Sequence, residues 1–463
     1  MIPEAPALES TADIGVRDRY GLFIGGDWVA PETGAYVISE NPATDEPLAL
    51  VARATAADVD RALRAARRAY EKSWRKIKPA ERAKYLYRIA RAIAERTRVL
   101  ALMETIDGGA PIRSVRDVVG HAATTAFYYA GWADKLAWAI GGHERARAIG
   151  VVGALVSARS PIACAIDILA PALAAGNTLV LKASTCAPLG VLALAQICAE
   201  VDLPPGVVNV ITGESDVSST LVEHPDCDLL ACEGSIGVAS AIRRVTATRR
   251  IPLRASVDGP ACIIVFDDAP LDAAIEAIVA ATYRAGTKTS RSGTLVLVHE
   301  SLETDVVARL TARLRTLRHG DPLDRNTDVG AFASRTHRDR LAARVDRAVA
   351  GGATLLAAPW TPPDVGAFRA AAILIDLPPS FDLVSSDASG PFATLATFRT
   401  PAEALERAAA FAPASASVWT SSGAQALYTA QRFAAGVVWC NTFDRFDAGR
   451  VGGPAGLRAY LDL

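Results

Sequence analysis

Short β-branched runs separated by helical stretches set the first limit on what this chain can fold into. The runs are "GVVGALV" from Gly150, "NTLVLK" from Asn177, "VVNVIT" from Val207 and "LLACEGS" from Leu229. Stretches such as Pro188 to Val201 between them read as helix. That alternation describes a parallel sheet with crossover helices. A second series follows, with "CIIVF" from Cys262, "TLVLVHES" from Thr294, "ASVWT" from Ala416 and "GVVWCN" from Gly436. At 463 residues the chain exceeds the roughly 250–300 that one hydrophobic core serves. Two α/β lobes are expected.

Local signals fill in the N-terminal part. "LFIGGDWV" from Leu22 reads as strand-turn-strand. Thr55 and Asp58 form a capping-box pattern, followed by Val59, Leu63, Ala66, Tyr70 and Trp74 at helical spacing. A second helix is expected near Pro79, with Leu86, Ile89 and Ile93 on one face. Residues 1–20 read as a poorly anchored leader, and Pro359–Pro363 as a surface loop.

Composition removes several classes. Lysine and arginine number 49 against 50 acids, a formal charge of −1, which excludes a broadly basic nucleic-acid binder. Apolar stretches are interrupted by Pro171, Gly176 and Lys182, too short for a membrane span. The start lacks a basic region followed by an apolar core, so a cytoplasmic chain is expected. Seven cysteines without a CxxC pair give no disulfide framework, and six histidines without an HExxH pair give no metal site.

The stretch Leu169–Ser184, "LAPALAAGNTLVLKAS", together with "DLPPGVVNVITG" from Asp202, "HPDCD" from His224, "NPATDEPL" from Asn41, "YYAGWADK" from Tyr128, "SGPF" from Ser389 and "GVVWCNT" from Gly436, resembles the aldehyde dehydrogenase superfamily in order and spacing. The resemblance runs from about Leu22 to the C-terminus. It implies two Rossmann-type α/β lobes plus a shortened β-arm for oligomerisation. Residues 1–131 with 149–254 would form the dinucleotide-binding lobe, and 255–445 the catalytic-type lobe. Residues 132–148 with 446–463 would form the reduced arm.

Family chemistry uses a cysteine thiolate, an oxyanion-holding asparagine and a water-activating glutamate. By the same resemblance, the cysteine position falls in Ala285–Gly293, which contains no cysteine; Thr289 or Ser290 stands there, depending on a one-residue slip. Ser256 occupies the glutamate position and Arg159 the asparagine position. The resemblance therefore implies a catalytically inactive pseudo-dehydrogenase that serves as partner to an active aldehyde dehydrogenase or to itself. Two alternatives stand beside it. One is an NAD(P)-dependent aldehyde oxidoreductase of non-standard activity. The other is an enzyme or sensor for an anionic ligand held by Arg159 and Lys288.

The cofactor positions implied are Lys182, Thr185, Gly234, Ser235 and Asp387, with weak or absent binding of NAD or NADP expected. Gly234 and Ser235 can present N–H groups to phosphate at a helix start, whereas Glu233 beside them brings negative charge. The plainer expectations are that Lys182 is a solvated strand-end residue and that Gly234 serves a tight turn.

Overall fold

The computed structural model describes residues 6–12, 14–139, 147–284, 294–377, 390–445 and 453–462. Three strands near the start, β1 (Arg19–Tyr20), β4 (Tyr36–Glu40) and β5 (Pro47–Ala52), form a small sheet in the order β1-β5-β4. A seven-stranded sheet contains β2 (Leu22–Ile24), β3 (Asp27–Val29), β7 (Val151–Leu155), β8 (Thr178–Ala183), β9 (Val208–Thr212), β10 (Leu229–Ser235) and β11 (Leu253–Asp258). Its order is β11-β10-β7-β8-β9-β2-β3, parallel from β11 to β9, with the β2–β3 hairpin antiparallel at the edge.

The second seven-stranded sheet takes β12 (Ala261–Val265), β13 (Thr294–His299), β14 (Thr354–Ala357), β15 (Ala372–Ile375), β16 (Phe392–Phe398), β17 (Ser415–Trp419) and β18 (Val437–Cys440). It is ordered β14-β15-β16-β13-β12-β17-β18, with only β14 antiparallel to its neighbour. The β-branched runs read from the sequence are inner strands of both sheets, except the run from Gly436, which forms β18 at the edge of the second. The Pro359–Pro363 segment is a largely exposed connection.

Two helical layers cover the first sheet, and the strand period of two decides which residue meets which layer. Leu229 and Ala231 pack with α2 (Pro79–Glu95), α3 (Thr97–Gly108), α4 (Ile112–Ala133), α6 (Pro161–Ala175) and α7 (Leu189–Glu200). Leu230 and Cys232 pack on the opposite face with α1 (Ala56–Lys72), α8 (Ser215–Glu223) and α9 (Ile236–Arg249). Thr55 caps α1 through the expected box with Asp58, and Pro79 opens α2 at its first position. All 15 residues of α6 are buried, in keeping with a helix that is apolar on every side.

Described segments near both ends of the sequence pack on the body of the fold. The expectation of a loosely anchored leader over residues 1–20 is overturned for its described part. Residues 7–9 run beside the loop at 323–325, with Glu9 N–H donating to Leu323 O at 3.0 Å and Arg325 N–H to Ala7 O at 3.1 Å. The Glu9 side chain, only 2% exposed, accepts from Arg98 at 3.0 Å, Arg116 at 2.6 Å and Arg325 at 2.6 Å. These contacts join partners up to 316 residues apart, so no local pattern announces them. At the other end, Leu457 and Tyr460 are fully buried in the first lobe. Asn177 Nδ2 donates to Tyr460 O at 2.8 Å, and β19 (Leu461–Asp462) pairs antiparallel with β6 (Arg147–Ala148).

Hydrogen bonds, foremost from Arg325, hold the Glu9 carboxyl down at about 2, against an ordinary value of 4.5. A depressed carboxylate stabilises the fold fully above its unfolded pKa, and that contribution fades as pH falls toward the folded value. Glu9→Gln is expected to lower the melting temperature at pH 6. The gap to the wild-type chain should narrow as pH falls from about 4.5 toward 3, as scanning calorimetry would register.

Candidate functional site

The strand order fixes where a ligand can lie. From β7 the chain steps outward to β8 and β9, then returns to place β10 on the other side of β7. Carboxyl ends at such a reversal splay their connections apart and open a crevice. One wall follows β7, at Val156–Pro161; the other is the end of β10, at Glu233–Ser235.

The helices flanking this crevice lack side-chain caps of their own. Ser160 before α6 and Pro188 before α7 make no side-chain cap hydrogen bond. Two carboxylates on α3 take that role. Glu104 Oε2 accepts from Ile162 N–H at 3.1 Å, and Asp107 Oδ2 accepts from Leu189 N–H at 2.7 Å. Each satisfies an orphan donor and complements the positive helix end. Ser39 Oγ donates to Asp107 Oδ1 at 2.6 Å. Gly190 allows the two helix starts to close, since a Cβ there would lie 2.9 Å from Ile162 Cγ1.

Burial pushes Asp107 up to about 7, against the two hydrogen bonds that favour its charge. With the folded pKa above the unfolded one, stability declines as pH rises from about 4 to 7. In Asp107→Asn the amide oxygen can still accept from Leu189 and the amide nitrogen can donate to Ser39. That variant is expected to gain melting temperature relative to wild type between pH 5 and 8. Thermal melts across the range check the sign.

The sequence-expected residues fall into three groups. Lys182 and Gly234 are brought to the carboxyl edge on the α1/α8/α9 side, by parity with Val180 and Cys232. Ser256 lies on the α6 side, paired in register with Glu233 across β10 and β11. Lys288, Thr289, Ser290 and Asp387 lie outside the described residues.

Lys182 is not the solvated strand-end residue expected. It is 8% exposed; its carbonyl accepts from Val156 N–H at 3.0 Å, while its side chain makes no hydrogen bond or ion pair among the described residues. Burial pushes its ammonium down, while Cys186, Asp216 and Glu214 pull the other way. The tight-turn account of Gly234 also fails. Its φ is not left-handed, it sits inside β10, and a Cβ built on it would meet nothing within 4 Å. Ser235 caps α9, its Oγ accepting from Val238 N–H at 3.3 Å. Thr185 is half-buried in the turn after β8.

Arg159 is half-buried on the β7 wall, with its N–H donating to Ser157 Oγ at 3.2 Å. The next residue, buried Ser160, takes a φ of +48°, a left-handed conformation unfavourable for a residue with a side chain. Cys164 is buried and its thiol donates to Arg159 O at 3.2 Å. Burial raises the four other buried thiols: Cys232 to about 11, Cys198 and Cys227 to about 12, and Cys262 well above the usual range. They are structural hydrophobes.

Glu233 was read from sequence only as an obstacle to phosphate. It is 4% exposed and alternates with Leu229 and Ala231, so it faces the α6 layer beside Ser256. Its charge belongs to a buried group around Arg254, whose guanidinium lies 5.3 Å from the Tyr460 ring centroid. Burial alone would lower the Arg254 pKa, but Tyr460, Glu233, Tyr129 and Asp167 together hold it up. A carboxylate within an otherwise apolar strand run, in phase with the inward residues, was the available signal.

Comparison with known proteins agrees with this architecture. The model of the Aldehyde dehydrogenase family matches residues 28–455, and the chain belongs to that family. Betaine aldehyde dehydrogenase 2 of Rhizobium meliloti (strain 1021) is 31% identical over 441 residues, covering 92% of this chain and 90% of that relative. Betaine aldehyde dehydrogenase 1 of Oryza sativa subsp. japonica is 33% identical over 413 residues, covering 84% and 81%. The NAD+ complex structure of aldehyde dehydrogenase from Bacillus cereus superposes with a TM-score of 0.91 at 26% identity, covering 99% of this chain and 98% of that one. No described helix is long and apolar enough to cross a membrane.

Proposed function

We propose that this chain is an NAD- or NADP-linked aldehyde oxidoreductase that works without a cysteine thioester. The observation that carries the reading is Gly234. Neither its backbone angle nor its packing requires a glycine, and the space where a side chain would stand is open. Such a position fits a ligand lying close against the backbone. The start of α9 beside it suits a pyrophosphate, and buried Lys182 suits ribose hydroxyls. The Bacillus cereus structure holding NAD+ and the relatives named for betaine aldehyde support the same assignment.

In this reading the lobe of the first sheet binds the dinucleotide, and the lobe of the second sheet closes over the aldehyde. Residues 132–148 and 446–463 form the reduced arm. Seven free cysteines favour a reducing, cytoplasmic setting.

Bound nicotinamide supplies a hydride acceptor; proton handling and charge come from the chain. A hydrated aldehyde carries two hydroxyls on the reacting carbon. Loss of hydride from that carbon and of a proton from one hydroxyl leaves the carboxylic acid, so no enzyme thiol is required. We assign Glu233 as acceptor of the proton, because it is buried at the reversal and in register with Ser256. Arg159 on the opposite wall suits the carboxylate that forms. Thr289 and Ser290 are spectators in this route.

Two variants test it. Gly234→Ala is expected to leave the melting temperature within about 2 °C of wild type, because a Cβ there meets nothing within 4 Å. It should also abolish the thermal shift given by millimolar NAD or NADP. Glu233→Gln is expected to keep that shift and lose about 100-fold or more in aldehyde-dependent NADH formation. A wild-type chain that shows the shift but turns over no aldehyde is instead the non-catalytic partner. That second reading is favoured by the lack of any cysteine between Ala285 and Gly293.

A further inference from the structure

The strands at one edge of the first sheet place four side chains on a single face. In the parallel register of β10 and β11, Ala231 stands opposite Arg254 and Glu233 opposite Ser256. Residues two apart on a strand point the same way, so Arg254 shares the α6 face with Glu233 and is its diagonal neighbour. Long side chains cross that diagonal. Directly opposite Arg254 stands only the methyl group of Ala231.

Three further elements bring ionisable groups to Arg254. Helix α4 supplies Tyr129, helix α6 supplies Asp167, and the C-terminal segment supplies Tyr460, all buried. Glu233 and Asp167 are thus two buried acids around one arginine. The arginine is seated from the tail. Its guanidinium carbon lies 5.3 Å from the Tyr460 ring centroid, within cation–π range. Tyr460 is itself fixed: Asn177 Nδ2 donates to its carbonyl at 2.8 Å, its N–H donates to Leu457 O at 3.1 Å, and Leu461 after it pairs with Ala148. Its hydroxyl is buried without a hydrogen-bond partner among the described residues, so the residue contributes its ring face. Burial pushes the phenol up to about 12, and it stays neutral.

We propose that Arg254 is a positioning residue: seated on the Tyr460 ring, its guanidinium keeps Glu233 ionised and in place to accept the substrate proton. The inference rests on the assignment of Glu233 above. A carboxylate taken out of water favours its neutral form, and a neighbouring guanidinium reverses that preference. Asp167 opposes it, since a second acid near the first disfavours its charge. Residue 460, at the far end of the sequence, thereby bears on proton transfer at the crevice.

A double-substitution cycle tests the contact without turnover. Arg254→Met is expected to lower the melting temperature, and adding Glu233→Gln to recover about half of that loss or more, because no carboxylate is then left without its cation. The pH profile of kcat/KM for aldehyde, at saturating NAD, tests the role. Arg254→Met should move the acid limb upward by about one unit or more, whereas Arg254→Lys, which restores the charge, should move it by less than half as much. Tyr460→Phe keeps the ring and should leave the limb in place; Tyr460→Leu should move it upward. Arg254→Gln carries the profile test if Arg254→Met does not fold. Additive melting losses in the cycle, or an acid limb that neutral substitution of Arg254 leaves unmoved, overturn the inference while the Glu233 assignment stands. Full turnover in Glu233→Gln, or none in the wild-type chain, removes that assignment and this inference together.

Discussion

Two carboxylates on one helix hold the mouth of the first lobe in shape. Glu104 and Asp107, one turn apart on α3, reach the starts of α6 and α7 and satisfy N–H groups that these helices cannot cap themselves. Burying two acids is costly in isolation. Positive helix ends and direct hydrogen bonds offset that cost, and Asp107 at about 7 shows how far burial still acts on it. The return is positional. Arg159 lies just before α6 and Lys182 near the end of β8, beside the helix starts that the two carboxylates cap.

The carboxyl edge of the first sheet divides its chemistry between two faces. Lys182 and Gly234 belong to the α9 side, and Glu233 and Ser256 to the α6 side. A dinucleotide crossing such an edge meets recognition groups on one face and proton-handling groups on the other. Glu233 acts with Tyr460, Tyr129 and Asp167 on buried Arg254, which ties it into a buried charged group. Cys232, raised by desolvation and by Glu233 next to it, is held as a neutral thiol beside this group.

Much of this architecture is legible in the sequence because it is periodic. The apolar runs at Val151, Thr178, Val208 and Leu229 are buried strands, and Thr55 with Asp58 caps the helix that their spacing announces. Family membership followed from ordered motifs, and the comparisons bear it out. What sequence could not supply was long-range or depended on empty space. Glu9 looks like any acid in a polar leader until Arg98, Arg116 and Arg325 converge on it. Gly234 looks like a turn glycine until its φ and open surroundings are known. Lys182 at a strand end reads as solvated because its burial is set by tertiary packing, which a linear pattern does not position.

The tail adds a matter of timing. Leu457 and Tyr460 belong to the same core as Phe23, Leu86 and Val152, and Asn177 reaches Tyr460 across 283 residues of sequence. A chain emerging from the ribosome N-terminus first therefore cannot complete its first lobe until residues 457–461 have been made. The second sheet, built wholly from residues between Ala261 and Cys440, has all its strands available earlier. Vectorial synthesis thus reverses the order that sequence position suggests. The lobe begun first is completed only after every strand of the other has been made.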